Sequence, residues 1–247
     1  MTEYRLACSE IWGGIGGADQ DVATGGVLAS IYSAAAGGGR GGDIHYLSVC
    51  REDLRTRIAV ADVRGHGESV TSVSAWVYGA LRAQINDVAG DQVLSDLNGR
   101  IYARGIEAMT TAVVVGYDGI RPCLYFCHAG HPPAMVWRPV EGWRQVENCA
   151  EDEASNLPLG VLASTEYQQG QVSLESGDRV LLYTDGLLDA EDANGEPFGS
   201  ERLLCLLKSQ GDVSISGVKR AVLDGFLDHT KGLPLVDDVT LLAAQIR

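Results

Sequence analysis

Four short segments of the sequence each place an aspartate beside a glycine or a second aspartate, next to an apolar run of the kind that forms strands. They are GGD ending at Asp43, ADVRGHG with Asp62, YTDG with Asp185, and DDVTLL with Asp237 and Asp238. A carboxylate at a strand end can point toward the rim of a sheet, and a neighbouring glycine lets an ion or a substrate approach the backbone closely. One such segment is by default a turn, but four in order are a far more specific signal for a shared site.

Carboxylates brought together in this way repel one another, so a cluster of them is tolerable only if cations neutralise it. Hard oxygen ligands favour Mg²⁺ or Mn²⁺ in octahedral geometry, with water in the open positions. Two such ions about 3.5–4 Å apart share a bridging hydroxide and bind phosphate oxygens. The aspartates therefore predict two divalent metal ions, Mn²⁺ or Mg²⁺, that activate water to attack phosphorus.

The composition argues against several other classes of protein. Among 247 residues, 19 Lys and Arg stand against 33 Asp and Glu, a formal net charge of −14. Nucleic acid is therefore not expected as the main partner, because binding the phosphate backbone needs a basic surface. The first residues lack a basic stretch followed by an apolar one, and no run of about 18 uncharged apolar residues is present. We expect a cytoplasmic protein without membrane attachment.

Two of the six cysteines, Cys123 and Cys127, precede His128 in the run CLYFCHAGH. A tetrahedral zinc site there would need a second close pair of ligands, and the sequence has none. In a strand, both cysteines would lie on one face and His128 on the other. We therefore expect Cys123 and Cys127 to be buried, reduced thiols.

The hydrophobic pattern predicts the elements that must position the aspartates. Runs of β-branched and aromatic residues predict strands at 27–32, 44–50, 57–63, 111–117, 123–127, 134–137, 143–146, 171–174, 179–183 and 239–246. Helices are predicted over 70–88, where apolar residues recur every three or four positions, and over 92–104, 200–208 and 213–229. Strands and helices come in separate runs instead of strict βαβ alternation, which predicts an α+β fold with mostly antiparallel sheets and helices outside.

The first forty residues contain two glycine clusters, GGIGG at 13–17 and GGGRGG at 37–42. Neither has the spacing of a P-loop or of a dinucleotide-binding motif, so both are predicted to be flexible turns. No linker or internal repeat is visible. The simplest division is a single domain over 1–247, with 1–40 as an atypical Gly-rich N-terminal segment.

Taken in order, these motifs resemble those of the bacterial SpoIIE/RsbU-type branch of the PPM (PP2C-like) metal-dependent serine/threonine phosphatases. The resemblance covers roughly 40–247. The matching stretches are GGD at 41–43, ADVRGHG at 61–67, TTAVVV at 110–115, AGHPP at 129–133, LPLG at 157–160, YTDGLLDAEDANGEPFG at 183–199 and DDVTLL at 237–242. Each stretch is short, but jointly they are highly specific.

The resemblance implies a PP2C-like sandwich of two mostly antiparallel β-sheets flanked by α-helices, with the metals at one end. It implies hydrolysis of phosphoserine or phosphothreonine in a regulatory partner protein, and typical substrates in this branch are STAS-type anti-sigma-factor antagonists. Dimers formed through helices are common in the branch, so a homodimer is an open alternative. The usual sensor domain is not visible before residue 40, so we expect regulation to come from elsewhere.

The resemblance also implies roles for individual residues. Asp62 would bridge both metals, and the backbone carbonyl of Val63 would bind one of them. Asp43 would contribute to the same centre, directly or through water. Asp185 and Asp237 would complete the other coordination sphere.

Three positions depart from the pattern of the branch. Asp238 stands where the wider superfamily often has asparagine, which implies a supporting role. Tyr46 stands where a second aspartate is common, so that carboxylate is lost or supplied elsewhere. Arg64 replaces a commoner serine or glycine; its planar fork suits a substrate phosphate, and an exposed loop arginine is an equally good interpretation.

Three histidines lie near the motifs. His66, in the glycine turn after Asp62, has a pKa suited to protonating the leaving serine oxygen, and a locally hydrogen-bonded loop histidine is an equal alternative. His131, which precedes two prolines, is predicted to shape a rigid turn. His128 is predicted to be a packed residue instead of a ligand.

Three functions are weighed on this basis. The leading prediction is an active Mn/Mg-dependent phosphoprotein phosphatase, with Asp62, Arg64 and His66 as its candidate catalytic residues. The second is a catalytically weak phosphatase-like module that binds a phosphorylated signalling partner, which the altered position at Tyr46 motivates. The third, an unrelated nucleotide-processing metalloenzyme, has no P-loop or Rossmann fingerprint to support it.

Overall fold

The structure is a computed structural model, and it describes residues 9–50, 55–65, 70–86, 90–146 and 156–247. Its strands are β1 Ser9–Ile15, β2 Ala18–Ala23, β3 Val27–Ala34, β4 Asp43–Cys50, β5 Arg55–Val63, β6 Thr110–Asp118, β7 Cys123–Ala129, β8 Met135–Arg138, β9 Gly142–Gln145, β10 Gln169–Ser173, β11 Arg179–Tyr183 and β12 Val239–Ile246. Its helices are α1 Thr71–Gln84, α2 Gly90–Arg104, α3 Asp185–Asp189, α4 Gly199–Ser209 and α5 Ile215–Thr230, with a 3-10 turn at Ile106–Ala108.

The strands form two six-stranded sheets. The order in the first sheet is β1-β4-β5-β6-β7-β10, and in the second it is β2-β3-β12-β11-β8-β9. Every pair of neighbouring strands is antiparallel. The predicted α+β fold with two antiparallel sheets flanked by helices is confirmed.

Three hydrophobic layers hold the molecule together. One lies between the two sheets, one between the first sheet and helices α1 and α2, and one between the second sheet and helices α3, α4 and α5. The position of β12 between two of these layers explains why its sequence, VTLLAAQI, is apolar at almost every position. Leu242 and Ala244 face the layer between the sheets, whereas Leu241 and Ala243 face the helices, so the strand is buried on both sides.

The helices use their apolar stripes to cover the sheets. α1 buries Ser74, Val77 and Leu81 against the first sheet, as the three-to-four spacing predicts. α5 begins after Ser214, whose hydroxyl accepts a hydrogen bond from the Gly217 amide at 3.1 Å, an N-cap that satisfies one of the free amides of the first turn. Among the described residues, no helix is both long enough and apolar enough to cross a membrane.

The first glycine cluster is not a flexible turn throughout, and the prediction was wrong for part of it. Gly13 and Gly14 belong to β1, which pairs with β4 at the edge of the first sheet. A Cβ atom on Gly13 would lie 2.1 Å from the Tyr78 hydroxyl oxygen, so glycine is present there because α1 approaches the strand closely. The second cluster is a turn as predicted, and Gly37, Gly38 and Gly39 all have positive φ.

The predicted free thiols are confirmed at Cys123 and Cys127, but Cys123 is only half-buried, against the prediction of burial for both. Cys123 and Cys127 are both free, and Cys127 is fully buried. The Cys127 thiol donates to the Gln168 carbonyl oxygen at 3.2 Å. Cys50, by contrast, is disulfide-bonded.

Candidate metal centre

The first sheet brings together Asp43 and Asp62 by register. Asp43 is the first residue of β4, Asp62 lies near the end of β5, and the two are direct partners in the antiparallel ladder. Asp43 is fully buried and Asp62 is half-buried. Two aspartates 19 positions apart in the sequence are therefore cross-strand neighbours.

The second sheet contributes Asp185 and Asp237 from the facing ends of β11 and β12. These strands are antiparallel, with Tyr183 opposite Leu241. The chain leaves β11 at Tyr183 and enters α3 at Asp185, while Asp237 stands two residues before β12. Because one strand ends where the other begins, both carboxylates lie at the same end of the sheet.

Thr184 connects the two halves of the candidate centre. Its hydroxyl donates to Asp43 Oδ2 at 2.9 Å and accepts from the Thr240 amide at 2.9 Å. Asp43 belongs to the first sheet, whereas Thr184 directly follows β11 and Thr240 lies in β12, both of the second sheet. The other oxygen, Asp43 Oδ1, is buried with no hydrogen-bond partner, which leaves it available to a cation.

Gly42 marks a concave site lined by oxygen atoms. A Cβ atom at this position would lie 2.6 Å from the Val63 carbonyl oxygen, 2.7 Å from the Gly65 carbonyl oxygen and 3.1 Å from Asp62 Oδ1. Glycine leaves this space open. Two carbonyl oxygens and a carboxylate oxygen around one gap are a donor set that suits a hard divalent cation.

The electrostatics of the cluster fit a cation site. Burial raises the pKa of Asp62, and the charge of Asp43 and those of Asp185 and Asp237 raise it further. Burial also raises the pKa of Asp43, although hydrogen bonds from Thr240 and Thr184 oppose this. The pKa of Asp185 is raised by burial and by the charge of Asp237. Each carboxylate thus makes its neighbours harder to ionise, as expected for a site that needs positive charge.

The four carboxylates are near one another but are not gathered at a single point. Within the described part of the chain, no three His, Cys, Asp or Glu side chains are close enough together to hold an ion. A centre that also uses the Val63 carbonyl and water needs fewer side chains per ion, and the oxygen donors present suit a hard divalent cation.

Asp238 differs from the other aspartates in its surroundings. It is fully buried, and its carboxylate accepts hydrogen bonds from the Ala36 amide at 2.6 Å and from the Gly42 amide. Its own amide donates to Asp237 Oδ1 at 2.8 Å. These contacts hold the loop before β4 against the start of β12.

Of the two candidate catalytic residues that follow Asp62, the structure describes Arg64 alone. Arg64 is exposed, and its amide donates to the Met109 carbonyl oxygen at 2.8 Å, so its backbone is fixed while its side chain faces solvent. His66 lies outside the described residues.

Three other residues singled out in the sequence are packed inside the fold. Tyr46 is buried in the layer between the first sheet and the helices. His128 is buried and packs edge-on against Phe126 with ring centroids 5.7 Å apart. His131 is also buried, and its Nδ1 lies 2.9 Å from the Thr111 hydroxyl oxygen.

Sequence reasoning missed the part played by Thr184. The only available signal was its position in YTDG, between the end of a strand and an aspartate. That position predicts a helix N-cap, but Thr184 makes no such bond and directs its hydroxyl to Asp43 instead. A contact across 141 positions leaves no local pattern in the sequence.

Comparison with known families settles the relationship that the motifs indicate. Residues 52–247 match the family described as Stage II sporulation protein E (SpoIIE), which is well over half of the chain. The chain belongs to the SpoIIE family. The SpoIIE match begins after β4, so the first four strands precede the matched region.

Individual relatives agree with membership of the SpoIIE family. The chain is 27% identical over 186 residues to the phosphoserine phosphatase RsbP of Bacillus subtilis, covering 73% of this chain and 43% of RsbP. It resembles the structure of the RsbU and RsbW domains of Rv1364c from Mycobacterium tuberculosis with a TM-score of 0.73 and 27% identity, over 90% of this chain and 60% of that one. The chain thus spans less than half the length of RsbP.

A second structure supports the fold. The catalytic domain of the serine/threonine protein phosphatase PstP, solved in complex with two manganese ions, matches with a TM-score of 0.62 and 19% identity, over 90% of this chain and 98% of that one. The PP2C-like sandwich predicted from the sequence is confirmed.

Proposed function

We propose that this protein is a metal-dependent protein serine/threonine phosphatase that hydrolyses phosphoserine or phosphothreonine on a regulatory partner protein. The observation that carries the proposal is the convergence of Asp43, Asp62, Asp185 and Asp237 from two sheets. Their pKa values are interdependent, and an unpartnered buried oxygen of Asp43 lies among them. A phosphoserine phosphatase among the relatives supports the same reaction class.

The residues proposed to hold two divalent ions, Mn²⁺ or Mg²⁺, are Asp43, Asp62, Asp185, Asp237 and the carbonyl oxygen of Val63. Bound ions of this kind supply activated water and neutralise charge on phosphate oxygens. Burial raises the pKa of Asp62, as do the charges of Asp43 and of Asp185 and Asp237, and Asp62 is therefore proposed to serve both ions. The structure of PstP with two manganese ions supports the number and the kind of metal.

The chain's own side chains are proposed to handle the phosphate and the leaving group. Arg64 is exposed and follows Asp62 closely, where its guanidinium can form a two-pronged contact with the substrate phosphate. His66 is proposed to protonate the leaving serine oxygen. Because the chain carries a net charge of −14, a phosphorylated partner needs such local positive charge to approach the site.

The partner proposed is a phosphorylated STAS-type anti-sigma-factor antagonist. The resemblance to RsbP, and to the structure holding the RsbU and RsbW domains, supports a place in a regulatory protein circuit. A single domain over 1–247, a cytoplasmic location and a homodimer stay proposals. The pairing of β1 with β4 and of β3 with β12 supports the single domain.

One observation favours a second candidate function, a phosphatase-like module that binds a phosphorylated partner with little turnover. Tyr46 stands where the branch often has a second aspartate, and it is buried in the helix-side layer instead of facing the carboxylates. A metal centre that lacks one carboxylate would bind its ions more weakly.

The deciding experiment measures hydrolysis of p-nitrophenyl phosphate with and without Mn²⁺ by the wild type, Asp185→Asn and Asp189→Asn. Asp189 ends the same short helix and is exposed, so it controls for loss of a nearby charge. We expect Mn²⁺-dependent activity in the wild type, a loss of at least about 100-fold in Asp185→Asn, and little change in Asp189→Asn.

Circular dichroism would establish that each variant is folded. A folded wild type that is inactive with Mn²⁺ on this substrate and on phosphoserine peptides would contradict the phosphatase. Tight binding of a phosphorylated partner by such a protein would favour the binding module.

A further inference from the structure

Asp238 contacts the backbone of a glycine-rich loop with both of its carboxylate oxygens. Oδ1 accepts from the Ala36 amide at 2.6 Å, and Oδ2 accepts from the Gly42 amide. Hydrogen bonds to a charged carboxylate are roughly twice as strong as neutral ones. The carboxylate therefore holds both ends of the loop 36–42, whose far end leads directly into Asp43.

Two glycines show how closely Asp238 is enclosed. A Cβ atom on Gly41 would lie 2.2 Å from Asp238 Oδ2, and one on Gly186 would lie 2.0 Å from the Asp238 carbonyl oxygen. Gly41 and Gly186 each stand beside a proposed ligand segment, GGD and YTDG. Asp238 thus packs against both segments while belonging to a third.

The loop that Asp238 holds has little intrinsic order. Gly37, Gly38 and Gly39 all have positive φ, and fixing glycines costs more conformational entropy than fixing other residues. The Gly42 carbonyl oxygen also accepts from the Val63 amide at 3.3 Å. Fixing Gly42 therefore fixes Asp43 and Val63 relative to one another.

We propose that Asp238 is a positioning residue, not a metal ligand, and that its carboxylate clamps loop 36–42 so that Asp43 and the Val63 carbonyl are held in place for the ions. The inference rests on the proposed function, because the ions are part of that proposal. The same residue orients Asp237 through the hydrogen bond from its amide to Asp237 Oδ1.

The test compares Asp238→Ala and Gly41→Ala with Asp178→Ala as a matched control. Gly41→Ala keeps the carboxylate but pushes a methyl group into it. Asp178 is another buried aspartate that accepts a backbone hydrogen bond, from the Glu175 amide at 2.9 Å, and it lies at the other end of β11 from Asp185.

Two measurements separate the possible roles. Amide hydrogen exchange on the metal-free protein measures how well the amides of loop 36–42 are protected, and calorimetry measures the affinity for Mn²⁺. In both Asp238→Ala and Gly41→Ala we expect the Ala36 and Gly42 amides to exchange at least about tenfold faster and Mn²⁺ to bind about 10–100-fold more weakly. In Asp178→Ala we expect a lower melting temperature with Mn²⁺ affinity and loop exchange unchanged.

Several outcomes would overturn the clamp. Weak Mn²⁺ binding with unchanged exchange in Asp238→Ala would make Asp238 a direct ligand. Faster exchange with normal Mn²⁺ affinity in both variants would make it a purely structural residue. If the wild type binds no Mn²⁺, the proposed function fails, and the exchange rates still decide whether Asp238 holds the loop.

Discussion

Thr184 shows how one hydroxyl can couple two sheets. It donates to the buried carboxylate of Asp43 on the first sheet and accepts from the Thr240 amide on the second. Both partners are inaccessible to water, so neither could bond to solvent if the hydroxyl were removed. The side chain therefore belongs to the packing of the sandwich and to the candidate centre at once.

Replacing Thr184 by valine tests this double role. Thr184→Val keeps the volume but removes the hydroxyl that donates to Asp43 Oδ2 and accepts from the buried Thr240 amide, so we expect the free energy of unfolding to be about 1–3 kcal/mol lower than in the wild type. Thr184→Ser keeps the hydroxyl and should lose less, about 1 kcal/mol for the missing methyl group. Urea denaturation of the metal-free proteins measures both. A free energy of unfolding that is unchanged in Thr184→Val would mean that the hydroxyl contributes nothing.

At the scale of elements, the strands with alternating or continuous apolar residues could be predicted from the sequence, including β6 with its Gly116, whereas β1 and the polar, mostly exposed β2 could not. The prediction for 239–246 coincides with β12, and that for 179–183 coincides with β11. β1 was missed because glycine is rare in strands, and its Gly13 is there for the approach of Tyr78. α3 was missed because five residues carry too little periodicity.

The candidate site could also be predicted only in part from the sequence. Its aspartates could be found from the sequence because each stands beside a glycine or another aspartate at a strand end. The contacts that hold them could not be found, because Thr184 reaches Asp43 and Asp238 reaches Gly42 across 141 and 196 positions. Such pairs depend on how the two sheets stack, which no local pattern encodes.

The close approach of α1 to β1 can be tested by a double-mutant cycle. Gly13→Ala should destabilise the protein by about 1–3 kcal/mol, because the new methyl group would displace the Tyr78 hydroxyl from Glu10. In a Tyr78→Phe background that hydroxyl is absent, so the cost of Gly13→Ala should fall by at least about 0.5 kcal/mol.

Gly116→Ala is the control for this cycle, since Gly116 lies in β6 with nothing near the position of an added Cβ. It should be neutral or slightly stabilising. Identical costs for Gly13→Ala in the two backgrounds would show that the strand and the helix do not depend on this approach.

At the scale of the whole molecule, the interior contains buried histidines as well as apolar side chains. His128 and His131 are both buried. Burial lowers the pKa of His128 to about 4. Burial, together with the neighbouring His128, lowers the pKa of His131 to about 3. The native sandwich therefore keeps both rings neutral, whereas the unfolded chain binds protons at ordinary histidine pKa values.

This difference predicts a loss of stability in acid. Because the folded pKa lies below the unfolded one, the contribution of His128 is fully present above about pH 6.5 and is lost as the pH falls toward 4. Between pH 7 and pH 5, the free energy of unfolding of the wild type should fall by about 2 kcal/mol more than that of His128→Leu. Urea denaturation across this range measures the difference. If the free energy of unfolding changed with pH equally in the two proteins, His128 would have the same pKa in the folded and the unfolded chain.

The pairing of β3 with β12 has a consequence for how the protein is made. These strands form an eight-residue ladder that joins Val27–Ala34 to Val239–Ile246, so an early segment must wait for one synthesised about 200 residues later before its sheet can close. Folding that depends on such distant pairs is slow. Asp43 and Asp237 are equally far apart along the chain, so a nascent chain at the ribosome holds only some of the carboxylates. The candidate centre can therefore assemble only after these distant segments have paired, so its carboxylates come together as a full set only late in the synthesis of the chain.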